Sequence, residues 1–67
     1  MITLEDQIKE ARRELALRKR VYPKWVRRGD MTEGQATYYI TVMETIVATL
    51  TRLDVEQRQM SLFGATQ

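Results

Sequence analysis

The chain has 67 residues, room for one domain whose core alone is small enough to need a staple, a metal or a partner subunit. It contains neither cysteine nor histidine, which removes disulfides, thiolate nucleophiles, zinc fingers and imidazole acid–base chemistry together. The formal charge of +2 is near balance, yet Arg12, Arg13, Arg18, Lys19, Arg20, Lys24, Arg27 and Arg28 crowd one segment with only Glu14 among them.

The first residues, Met1 to Asp6, carry acid and no apolar run, so no secretory signal is expected there. No stretch approaches the roughly 20 apolar residues of a membrane span. A reducing, cytoplasmic setting is the natural expectation for such a chain.

Thr3, with Glu5 and Asp6 behind it, reads as a helix N-cap with acids where the dipole favours them. Leu4, Ile8, Ala11 and Leu15 follow at steps of four, three and four, and Tyr22 and Val26 return to the same face. A first helix is therefore expected over 4–28. Pro23 removes a backbone donor and clashes with the preceding turn, at about 3 kcal/mol inside a helix. Because the apolar face resumes in phase at Trp25 and Val26, a kink near Pro23 is expected rather than a break.

Gly29 suits the left-handed position after a helix, with Arg27 and Arg28 in the last turn. Thr32-Glu33-Gly34-Gln35 has capping-box spacing, so a second helix should start at Glu33 and lie antiparallel to the first across a connection of about four residues. Ala36, Ile40, Met43, Val47 and Leu50 form its main stripe, flanked by Tyr39, Ile46 and Leu53, with Val42 at the edge. These nine positions cover an arc of roughly 160°, wider than one partner helix occupies. The spacing predicts an all-α fold: an antiparallel two-helix hairpin over residues 1–58, with two copies pairing into a four-helix bundle through Val42, Ile46 and Leu53. Asp54 and Gln57 fall on the apolar face, so the core should end near Leu53 and the helix near Arg58.

Residues 59–67 lose the helical period and read as a flexible tail. Nothing brings two carboxylates into a concave site, and a hairpin offers no ligand-sized pocket, so neither catalysis nor a metal or cofactor is expected. Tyr22, Trp25 and Tyr39 fall on or beside the stripes and should be core, leaving Tyr38 exposed. Arg18 intrudes on the apolar face and should pair with Glu14 or a carboxylate across the hairpin. The cations of the first helix, chiefly Arg20, Lys24, Arg27 and Arg28, could track phosphates with Tyr22 and Trp25 interleaved, although a solvated face is the simpler and favoured account of them.

Gln59-Met60-Ser61-Leu62-Phe63 resembles the pentapeptide by which bacterial replication and repair proteins bind the DNA polymerase III beta sliding clamp. In that family the pattern is Gln, usually Leu, Ser or Asp, Leu, then Phe or Leu. Gln59, Ser61, Leu62 and Phe63 match it, and Met60 substitutes an unbranched apolar residue of similar size. The resemblance implies that Leu62 and Phe63 anchor in a cleft while the Gln59 amide sets orientation. Residues 14–23, Gly29, Met31, Thr32, Ala36 and 42–44 are similar to small helical proteins of phage and prophage regions, which implies a setting in phage replication or host takeover but no established activity. Three functions follow as expectations: a clamp-binding adaptor or inhibitor, a helical nucleic-acid-binding protein, and a homo-oligomeric regulator of another protein.

Overall fold

A computed structural model describes the backbone of residues 1–65 and the side chains of residues 1–61. Helix α1 spans Leu4–Arg28 and helix α2 spans Glu33–Ala65. They run antiparallel as an all-α hairpin, with no strand among the described residues.

Local chemistry fixes both helix starts. Thr3 N–H donates to Asp6 Oδ2 at 2.9 Å, and Asp6 N–H donates back to Thr3 Oγ1 at 3.0 Å. The second start repeats the device, Thr32 N–H donating to Gln35 Oε1 and Gln35 N–H to Thr32 Oγ1, each at 3.0 Å. Each box satisfies two backbone donors that a helix end leaves without partners. Between the helices, Gly29 takes φ 82° and ψ 9°. Its N–H reaches the Val26 carbonyl at 3.1 Å, and Asp30 N–H reaches the Trp25 carbonyl at 2.9 Å. A side chain at that left-handed position costs roughly 1–2 kcal/mol even with open space around it, as there is at Gly29.

α1 runs through Pro23 as one uninterrupted helix. The lost hydrogen bond falls on the Lys19 carbonyl, and Lys19 and Pro23 both lie on the exposed side, where water can take over.

The core is thin. Among the described residues Ile8, Ala11, Ala36 and Met43 are the buried hydrophobic ones, and no described side chain is completely enclosed. Leu4, Leu15, Tyr22 and Val26 from α1, and Ile40, Val47 and Leu50 from α2, are half-buried along the same seam. The molecule measures 58 × 21 × 14 Å with a radius of gyration of 16.4 Å, against about 11 Å for a compact chain of this length. It is a single layer of two helices, whereas stable domains close a core between two layers.

α2 continues from Arg58 to Ala65, past the end expected near Arg58. Periodicity reports what a helix packs against, and the segment after Leu53 packs against little. It is nevertheless rich in strong helix formers and carries two side-chain ladders, Arg52 to Glu56 at 3.8 Å and Arg58 to Asp54 at 3.0 Å. Asp54 on the apolar side is thereby neutralised where the core ends.

Candidate functional site

Three surfaces bear on function. The first is the far end of α2. α2 has 33 residues and α1 has 25, so α2 overhangs its neighbour by eight residues, about 12 Å at 1.5 Å per residue. Gln59, Met60 and Ser61 lie on this overhang and are exposed, Met60 at 72 %. Their backbone is helical, not the irregular tail that lost periodicity suggested. The side chains of the other two members of the pentapeptide, Leu62 and Phe63, lie outside the described residues, as do residues 66 and 67.

The second surface is the outer side of α1. Arg20, Lys24, Arg27 and Arg28 are all exposed there. Arg28 is held by Asp30 at 3.1 Å, and inboard of them Lys19 meets Glu44 at 3.4 Å. Arg20, Lys24 and Arg27 have no ion-pair partner among the described residues. They sit at spacings of four and three, on one helical side.

The third surface is apolar. Val42 is half-buried, and Ile46 and Leu53 remain 41 % and 39 % exposed. Trp25 and Tyr39, expected in the core, are 37 % and 45 % exposed and border this face instead; a single opposing helix is too narrow to cover them. Tyr22 is half-buried, its ring 5.5 Å from that of Trp25. Tyr38 is open at 63 % and meets Tyr39 edge-on at 5.3 Å. Arg18 behaves as expected in pairing with Glu14 at 3.0 Å, and it also donates from Nη1 to the Tyr39 carbonyl at 2.9 Å.

Leu17 and Val21 belong to this face and were missed from the sequence. With Trp25 they fall at steps of four, and together with Glu14, Arg18 and Tyr22 they line a shallow hollow. Their spacing is legible in the sequence, but the stripe through Ile8 and Leu15 alone satisfies a two-helix seam and leaves a second one without a facing helix.

Among the described residues no group of three or more carboxylates is placed to hold a metal ion, and no helix is long and apolar enough to cross a membrane. No family model, curated protein or solved structure matches this chain.

Proposed function

We propose that this protein is a non-enzymatic, cytoplasmic adaptor that pairs with a second copy and docks on the bacterial DNA polymerase III beta sliding clamp through residues 59–63, modulating DNA replication in a phage-type setting. The observation that carries this reading is the Gln59-Met60-Ser61-Leu62-Phe63 pentapeptide on a stretch of α2 that extends past α1, with Gln59, Met60 and Ser61 exposed. Self-association through Val42, Ile46 and Leu53 is supported by the exposure of Ile46 and Leu53, with Val42 half-buried beside them, on a one-layer fold.

Docking as an extended peptide requires the overhang to unwind. Even for good helix formers a helical residue is favoured by at most about 0.3 kcal/mol, so five residues resist by roughly 1.4 kcal/mol. Burying Leu62 and Phe63 returns roughly 1.5–3 kcal/mol each. Anchoring therefore outweighs unwinding.

A peptide of residues 57–67 should bind purified clamp in the micromolar range typical of short linear anchors. The full chain with Leu62→Ala and Phe63→Ala together should lose clamp binding while keeping its helical content. A silent peptide, or a double variant whose hairpin unfolds, rejects the reading.

A second reading rests on Arg20, Lys24 and Arg27, three exposed cations without ion-pair partners among the described residues. They suit contact with nucleic-acid phosphates, and such contact is compatible with work at a clamp on DNA.

A further inference from the structure

Leu17 and Trp25 of α1 share one face with Tyr39, Ile46 and Leu53 of α2, all of them exposed, and two polar contacts fix which one. Arg18 reaches the Tyr39 carbonyl on one side of the hairpin, whereas Lys19 meets Glu44 on the other. Leu17, Val21 and Trp25 therefore lie on the same side of the hairpin as Tyr39, Ile46 and Leu53, the α1 set level with the part of α2 nearer the turn, because helical spacing keeps each set along its own edge. The second set recurs at steps of seven, the interval that keeps a seam aligned between packed helices.

The α2 row of this face is symmetric about Ile46, and the α1 residues level with Ile46 are the oppositely charged Glu14 and Arg18. Residue 16 is the midpoint of Leu4–Arg28, and the ion-paired Glu14 and Arg18 stand two residues to either side of it. Ile46 is midway between Tyr39 and Leu53. In an antiparallel hairpin that turns between residues 28 and 33, levels match where residue numbers sum to about 61, so residues 16 and 46 share a height.

We infer that a second copy covers this face with the hairpins antiparallel and the two-fold axis crossing at Ile46 and between Glu14 and Arg18. This arrangement rests on the self-association in the proposed function. Such an axis lays α1 on α1 and α2 on α2. Ile46 then meets Ile46 of the partner subunit, and Glu14 falls opposite Arg18 of the partner subunit, giving four alternating charges at the axis. Arg18 and Glu14 side chains are only 23 % and 40 % exposed already, and a charged cluster within an apolar seam specifies register and orientation. The area fits as well. α1 is about 37 Å long and the hairpin is 21 Å wide, so the face offers roughly 800 Å² per partner, the size of a stable interface.

A charge swap tests the arrangement on the full chain. Wild type should be a dimer by light scattering. Glu14→Arg alone and Arg18→Glu alone each place four like charges at the axis and should dissociate, and mixing the two variants should restore a dimer holding one of each. Because the chain has no cysteine, Ile46→Cys should cross-link to itself under mild oxidation in high yield, while Val55→Cys, exposed but off the face, should not. A wild-type monomer that folds cooperatively overturns both the arrangement and the self-association beneath it. A dimer with no rescue on mixing and no Ile46→Cys cross-link overturns the antiparallel arrangement alone, since an axis parallel to the helices would set Glu14 and Arg18 against α2.

Discussion

Truncating Ile46 and Met43 to alanine separates a hairpin that folds alone from one that folds in pairs. Met43 is 7 % exposed and Ile46 is 41 % exposed in the single hairpin. If one chain is the folding unit, Met43→Ala should cost about 2–3 kcal/mol, near the low end for a core methionine because a thin core relaxes easily. Ile46→Ala should then cost roughly 1 kcal/mol, since less than two thirds of its side chain leaves water on folding. If the apolar face is covered by a second copy, Ile46 becomes a fully buried residue and the two substitutions should cost about the same, 2 kcal/mol or more. Urea unfolding followed by helical circular dichroism and Trp25 fluorescence measures both. The same titration carries an internal check, because for a dimer a hundredfold rise in protein adds about 2.7 kcal/mol to the apparent unfolding free energy, moving the midpoint by roughly 1 M urea. A midpoint independent of concentration, with Ile46→Ala far milder than Met43→Ala, would refute the paired state.

At the start of α1, the Thr3 backbone N–H, with the Thr3 side chain second, holds the Asp6 carboxyl below its ordinary range. A carboxyl lowered in the folded state stabilises fully above its unfolded value and loses that contribution as pH falls through its folded one. Asp6→Ala should therefore lower the urea midpoint at neutral pH, and its difference from wild type should vanish in strong acid; a difference that persists there excludes the capping charge as its cause. On the outer side of α1, replacing Arg20, Lys24 and Arg27 with glutamine should weaken binding to single-stranded DNA and flatten its log–log salt dependence by about 2, and an unchanged slope by fluorescence anisotropy rules out phosphate contact by that side.

The elements that were legible in the sequence are those whose cause is local. Thr3 and Asp6, Thr32 and Gln35, and Gly29 announce helix ends because the capping atoms lie within a few residues of each other. The seam through Ile8, Ala11, Ala36 and Met43 was legible because burial repeats with the helical turn. What escaped depends on geometry between helices. Trp25 and Tyr39 looked like core because spacing gives an angle around a helix and does not say how far the facing helix reaches across it. The run of α2 to Ala65 escaped for the opposite reason: residues after Leu53 have no seam to record, and their helicity comes from propensity and from the Asp54–Arg58 and Arg52–Glu56 pairs. Arg18 was legible as a misfit on an apolar face, but its bond to the Tyr39 carbonyl, which orients the two helices, was not.

The thin core and the overhang are connected through the same shortage of packing. A helix is stable in a protein mainly through the face it buries, and α2 buries one only as far as α1 accompanies it. Up to about Leu53 it is locked to α1 by Met43, Val47 and Leu50; beyond Arg58 it is held by backbone hydrogen bonds alone among the described contacts. The first stretch can carry a partner hairpin without changing conformation, because its exposed residues already stand in a rigid row. The second can change conformation at little cost, which a linear recognition peptide needs and a structural helix does not. Substitutions that disrupt the row at Ile46 and those that disrupt the pentapeptide at Leu62 and Phe63 should accordingly act independently, as expected for sites separated by well over 10 Å, with 16 residues of helix spanning about 24 Å between Ile46 and Leu62.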